Sequence, residues 1–331
     1  MARIATIGGA RQEIYLIDHD DFVSSEKFGH SLFSQLIVGR EANIDKVLFE
    51  VGGSGANAAI AFARYGHESI YIGNLTHDPA GEAILERLDR EGIDTSYLNY
   101  PNHGVTSCSV ILLDTKSRNS TVLAHRGISS NGKYLQADDL DTIQPDWLYA
   151  GSLDGDMDTL RAFFEKARSL DAQIAFHPGP AEIREQAKLI GLLEDANTLI
   201  VNKREAAELV PGVVLTELLA RLANYCPTVI ITDGEMGAIA TNGERIYRLS
   251  VYEQVKAKDI NGAGDAFAAG YLAKIADGVS FEDALHFAAA NGAAVVQEYG
   301  AEAGLLTGRE DLHPMPMQAI TGLTEEEMKG E

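Results

Sequence analysis

The chain has 331 residues, 45% of them apolar, enough for one large α/β domain or two ordinary ones. Its formal net charge of −22 argues against nucleic acid or an anionic membrane surface as a partner. No run of about 18 apolar residues marks a membrane helix, and Cys108 and Cys226 fit buried thiols in a reducing compartment. The nine histidines show no metal-site spacing. The N-terminus enters a strand without a signal-peptide layout, so the expectation is a soluble, cytoplasmic protein.

Arg3 to Ile7 reads as a short apolar strand ended by Gly8-Gly9, and Ile14 to Ile17 as a second strand. Residues 18–46 are mixed and lack a helical period, which suggests short strands and loops outside the main core. Lys46 to Val51 runs into Gly52-Gly-Ser-Gly-Ala-Asn57, and a helix over Ala58 to Tyr65 stops at Gly66. Asp78-Pro79 caps a helix that ends near Gly92, with Ile84, Leu85 and Leu88 on one face. Thr106 to Leu113 and Ser120 to His125 read as a hairpin. With residues 14–46 it would form a small sheet set apart from the main one as a cover.

From Trp147 onward, strands and helices alternate. Strands over 147–150, 173–176, 198–201 and 228–232 are interleaved with helices over 156–170, 181–193, 203–209 and 216–224. That order predicts a mostly parallel sheet with helices on both faces. A hairpin over 238–249 turns at Asn242-Gly243. A strand-like run over 254–260 then meets Asn261-Gly-Ala-Gly-Asp265, followed by helices over 264–276 and 281–298. Residues 313–331 read as a loose polar tail.

Four stretches carry candidate chemistry. Gly262 and Gly264 let backbone N–H groups turn outward ahead of a helix N-terminus, which suits an anion such as phosphate. Asp265 follows at once; a carboxylate there repels the anion and is better placed to take a proton from an attacking hydroxyl, or else it caps the helix. Gly53-Ser-Gly-Ala-Asn-Ala58 resembles a dinucleotide fingerprint, but the next strand ends at Gly73-Asn74 without the acid that such a site needs. No GxxxxGK[ST] segment is present. Asn202-Lys-Arg-Glu205 has the spacing of a helix capping box as well as that of a metal or phosphate contact. Thr232-Asp-Gly234 reads as a turn, and Asn291 is a polar residue within an alanine-rich helix.

Taken together, these stretches resemble the ribokinase-like (PfkB) carbohydrate and nucleoside kinases over about residues 3–310. The two glycine motifs, roughly 200 residues apart and in order, carry most of the likeness. The resemblance implies a three-layer α/β/α fold with a mostly parallel central sheet and a small β-sheet lid. The kinase domain would span 1–312, its lid drawn from about 14–46 and 105–125, with residues 313–331 left as the tail. It implies that Asp265 is the base, and that the N–H groups of Gly262, Ala263 and Gly264 hold the transferring phosphoryl group of ATP. Asn202 and Glu205 would organise Mg²⁺, Glu205 indirectly, while Thr232, Gly234 and Asn291 line the nucleotide site. Glu13, Gly52, Gly53, Asn57 and Arg126 would face a sugar or nucleoside, with Asp259 beside a monovalent cation such as K⁺ and the lid pairing two subunits. Glu13 stands where the family's sugar kinases carry Asp, and Ile260 where they usually carry Thr, which leaves the acceptor and the cation open. An NAD-binding oxidoreductase and a ligand-binding protein without catalysis stay as alternatives of other classes.

Overall fold

The computed structural model describes the chain except residues 18–24, 28–30, 34–40, 42, 116–118, 253–254, 309, 311, 313–315 and 321–331, and except the side chains of 25–27, 31–33 and 119. The elements run β1 (Arg3–Ile7), β2 (Arg11–Ile17), β3 (Ser25–Lys27), β4 (Ser31–Phe33), β5 (Lys46–Gly52), α1 (Ser54–Arg64), β6 (Glu68–Asn74), α2 (Pro79–Arg90) and β7 (Leu98–Asn99). There follow β8 (Cys108–Asp114), β9 (Asn119–His125), α3 (Asp139–Ile143), β10 (Trp147–Ala150), α4 (Met157–Ser169), β11 (Gln173–Phe176), α5 (Pro180–Arg184), α6 (Gln186–Leu193) and β12 (Thr198–Asn202). The rest is α7 (Lys203–Leu209), α8 (Leu215–Leu222), β13 (Thr228–Thr232), β14 (Ala238–Thr241), β15 (Ile246–Leu249), α9 (Ala263–Ala276), α10 (Phe281–Val295) and β16 (Met317–Ile320).

The main sheet has the order β16-β15-β14-β13-β12-β11-β10-β1-β6-β7. It is parallel from β13 to β7, and β14, β15 and β16 extend it antiparallel. Parallel strands are covered on both faces, which is why these runs are apolar almost without alternation. Ala5, Ile7, Leu148 and Phe176 pack with α4, α6, α7 and α8 on one face. Ile4, Tyr149, Ala175 and Ile200 pack with α1, α9 and α10 on the other. The expected three layers are present.

A second sheet, β5-β2-β8-β9, stands at the carboxyl ends of the parallel strands. Its position follows from the chain path: β2 leaves β1 through Gly8-Gly9, and β5 runs straight into α1. Tyr15, Ile17, Ile111 and Leu113 form its own small core, with Leu48 and Tyr299 packed against it. So the expected small sheet is made of β2, β5, β8 and β9. Much of the 14–46 stretch lies outside the described residues.

Four sequence expectations change. The strand-like run before Asn261 joins no sheet in its described part; Lys258 and Asp259 both aim their N–H groups at the Val296 carbonyl, and one acceptor cannot make a ladder. The helix expected over 181–193 breaks at Glu185, where ψ turns to +39°. Helix α1 starts at Ser54, so the glycine motif forms its first turn. Within the expected tail, Met317–Ile320 pairs with β15 as the edge of the main sheet.

Gly53 precedes α1 with φ +100°, and a Cβ there would stand 2.4 Å from the Gly9 carbonyl oxygen. Both the backbone conformation and the close approach exclude a side chain. Gly53→Ala is therefore expected to lower stability by about 2–4 kcal/mol in urea unfolding. A loss below ~0.5 kcal/mol would mean that this crossing yields easily.

Candidate active site

The two glycine motifs meet in space. Asn57 Nδ2 donates to Asp265 Oδ2 at 2.8 Å across 208 residues of sequence. Asn57 is buried on α1, where its N–H bonds the Gly53 carbonyl at 2.9 Å, so the glycine turn fixes the amide that meets Asp265. The amide oxygen, Oδ1, is buried with no partner. Asp265 itself lies in the first turn of α9, behind Gly262, which holds a left-handed N-cap conformation at φ 78°. Among the described residues, the N–H groups of Gly264 and Asp265 take no protein acceptor. Free amides at the positive end of a 14-residue helix suit a bound anion.

Two residues absent from the sequence-based set complete this corner. His177 follows β11, and its Nδ1 lies 3.0 Å from the Tyr149 hydroxyl and 3.7 Å from Asp265 Oδ1. Tyr149 is fully buried on β10, and burial, reinforced by the negative Asp265, raises its pKa well above 10. The phenol therefore keeps its proton, and its hydroxyl and His177 Nδ1 share one hydrogen bond that holds the ring beside Asp265. The Nε2 edge faces Gly264, whose missing Cβ would lie 3.9 Å from it. The available signal was positional: a polar residue just past a parallel strand stands at the ligand-binding edge of such a sheet. Glu182 is also absent from that set. Fully buried, it accepts from the N–H groups of Leu153, Gly155 and Gly179 and from the Ser152 hydroxyl, at 2.7–2.9 Å. It thereby sets the loops after β10 and β11.

On the small-sheet side, the Glu13 carboxylate lies over Gly52. A Cβ on Gly52 would come within 2.3 Å of its carboxyl carbon, so the glycine makes room for this acid. Arg11 Nε donates to Glu13 Oε1 at 2.7 Å, and the Tyr15 hydroxyl stands 3.5 Å from Oε2. Glu50 faces Glu13 across the strands, and its carboxyl is raised by burial, against Arg87 and with the push of Glu13. Arg126 is exposed and paired with Asp154; no described contact joins it to Asp265.

At the ends of β12 and β13, Asn202 and Thr232 are register partners. Asn202 Oδ1 accepts from the Glu205 N–H at 3.0 Å, and Glu205 Oε2 accepts from the Asn202 N–H at 2.9 Å. This is the full capping box. It leaves Glu205 Oε1 and Asn202 Nδ2 at the half-exposed end of α7. Gly234 is exposed at φ +53° with open space around it.

Residues 30–307 match the family described as pfkB family carbohydrate kinase. The chain belongs to that family. Its members are phosphotransferases with an alcohol acceptor. The ribokinase of Bacillus subtilis (strain 168) is 28% identical to this kinase over 259 residues, covering 78% of this chain and 85% of the relative. A ribokinase from Cryptococcus neoformans var. grubii serotype A in complex with ADP has a similar fold at TM-score 0.71 and 22% identity, covering 93% and 98% of the two chains. So does the adenosine kinase from Sinorhizobium meliloti, at TM-score 0.74, 19% identity and 93% and 97% coverage.

Two residues expected at the kinase site hold the fold together through their side chains. Asn291 is completely buried, its Nδ2 on the Ala266 carbonyl at 2.6 Å and its Oδ1 on the Leu306 N–H at 3.0 Å. It ties α9 to α10 and has no side-chain atom left for a nucleotide. Asp259 is buried too, its oxygens accepting from the N–H groups of Asn261 at 3.0 Å and Gly300 at 3.2 Å. Its carboxylate shapes the loop, and each oxygen accepts one N–H and keeps a lone pair. Among the described residues, no group of three or more His, Cys, Asp or Glu side chains could hold a metal ion.

Asn57→Asp would place two carboxylates within hydrogen-bond distance, and one of them would then hold its proton to a higher pH. The acidic limb of the kcat/KM profile is expected to move up by roughly 1–3 pH units. An unmoved acidic limb would separate Asp265 from proton transfer.

Proposed function

We propose that this kinase transfers the γ-phosphoryl group of ATP to a hydroxyl of a sugar or nucleoside, with Asp265 as general base. The observation that carries this reading is the joint of Asn57 and Asp265 at the free amides of α9. Asn57 holds one carboxylate oxygen, which orients the other toward an incoming hydroxyl. Its own buried Oδ1 is an acceptor without a donor, and a second hydroxyl of the same substrate would satisfy it. The N–H groups of Gly264 and Asp265, with the His177 ring beside them, face the place where charge develops on the transferred group. Donors fixed there before reaction lower the barrier by preorganisation.

Mg²⁺ fits the free oxygen of Glu205, since a hard cation in such sites takes one or two carboxylates with phosphates and water. When bound, it would neutralise phosphate charge, which matters in a chain of net charge −22. The small sheet acts as a lid in this reading, with Glu13 and Arg11 at its acceptor-facing end to contact substrate hydroxyls. Thr232 and Gly234 line the nucleotide side, where an exposed glycine allows a flat ring to approach.

The small sheet also presents an apolar outer face, with Phe49 67%, Leu123 55% and Val47 45% exposed. Among the described residues nothing covers that face, and pairing with a second copy of this chain would bury it. Phe49→Asp is expected to turn a dimer into a monomer in sedimentation; a wild-type monomer would end that part of the proposal.

ADP release measured with pentoses, hexoses, sugar acids and nucleosides identifies the acceptor. With it, Asp265→Asn is expected to lose roughly 10³–10⁴ in kcat while ATP affinity stays within about threefold. Near-normal turnover in that variant would sink the assignment. Glu205→Gln is expected to raise the Mg²⁺ concentration for half-maximal rate by about threefold or more, whereas an unchanged titration would leave Glu205 as a helix cap alone.

A further inference from the structure

We infer that Glu302 is a positioning residue for the Gly262–Asp265 loop, acting through the strap of residues 300–306. The inference rests on the kinase reading for its effect on turnover, and on contacts alone for its effect on the loop. Gly300 N–H bonds Asp259 Oδ2 at 3.2 Å, three residues before Gly262. Ala301 lies directly on Gly262, whose missing Cβ would come within 2.3 Å of the Ala301 Cβ. So the strap presses on the turn that aims the free amides of α9.

What holds the strap is at its other side. Glu302 is buried at 1% exposure, and its Oε2 lies 2.6 Å from Arg87 Nη2 of α2, a charge contact without hydrogen-bond alignment. Its carbonyl accepts from Arg64 Nη1 of α1 at 2.5 Å. Arg64 in turn grips Glu91 through two nitrogens, at 2.6 and 2.9 Å, and Arg87 Nε lies 3.3 Å from the same acid. Farther on, Leu306 N–H bonds Asn291, the residue that also ties Ala266 of α9. The strap thus spans from α1 and α2 to the first turn of α9, and Glu302 is its only buried acid among the described residues.

The charged groups facing Glu302 are Arg87 of α2, Glu91 just past its end, Arg64 of α1 and Glu50 of β5. Burial lifts its carboxyl to about 8, opposed by Arg87 and Arg64 and aided by Glu50 and Glu91. A carboxyl raised in the fold binds protons that the unfolded chain releases. Its contribution to stability is therefore full below the ordinary carboxylate range and is lost as pH rises through about 8.

Hydrogen exchange of the peptide spanning Asp259 to Ala266 tests the loop without any acceptor. Glu302→Ala should speed exchange there by about fivefold or more while leaving β10 unchanged. Glu302→Gln, which keeps the shape, should retain wild-type protection at about pH 7, and its melting temperature should lack the wild-type decline as pH rises through about 8. With the identified acceptor, Glu302→Ala should lower kcat about tenfold while the KM for ATP stays within about twofold. Exchange that rises only within 300–306 and α2, or parallel melting curves for wild type and Glu302→Gln, would overturn the inference. Absence of turnover in the wild type would instead overturn the kinase reading, since the exchange result stands without it.

Discussion

The site depends on a crossing of two backbones that leaves no room for side chains. Gly8 and Gly9 leave β1 just where Gly53 to Gly55 enter α1; the N–H groups of Gly55 and Ala56 share the Gly9 carbonyl, at 3.1 and 3.3 Å. A Cβ on Gly55 would lie 2.6 Å from the Gly8 carbonyl oxygen. Because the chains pass this closely, α1 begins at the carboxyl edge of the sheet. Asn57 then falls one turn inside the helix, opposite the start of α9. Wider separation would move α1 outward and break the 2.8 Å contact with Asp265. The joint between Asn57 and Asp265 is thus a product of packing.

The same geometry answers an electrostatic problem. A chain with net charge −22 must hold a highly charged anion, and the corner around Asp265 contains no Lys or Arg in contact with that acid among the described residues. Backbone amides supply the positive ends instead. They carry no side-chain entropy and need no counter-ion of their own. His177 adds a polar ring whose orientation is held by a buried phenol at the end of a rigid strand.

Much of this was legible in the sequence. Strand and helix alternation gave the layers, and the second glycine motif gave the free amides beside Asp265. Three things were hidden, for different physical reasons. Asn57 was readable as a substrate contact, but its bond to Asp265 joins residues 208 apart, and local pattern carries no such distance. His177 lacked a motif, since its role comes from two neighbouring strands ending at one level. Residues 317–320 read as tail because an edge strand needs only one partner and little hydrophobic pattern.

Leftover hydrogen-bonding capacity sets Asp265, Glu205 and Asn57 apart from Asn291. Asn291 sits in a stretch as telling as the others, yet both polar atoms of its side chain are matched by backbone. A fully satisfied buried group gains nothing from a ligand and would lose a bond to meet one. Asp265, Glu205 and Asn57 differ: each gives one oxygen to the fold or leaves one unmatched. Glu205 completes a cap with one oxygen and has a second to spare, so capping and metal organisation are compatible duties of one side chain. An unmatched buried oxygen costs about 1–3 kcal/mol in the empty site. In the proposed reaction, a substrate hydroxyl within reach of Asp265 would return that cost at Asn57 Oδ1.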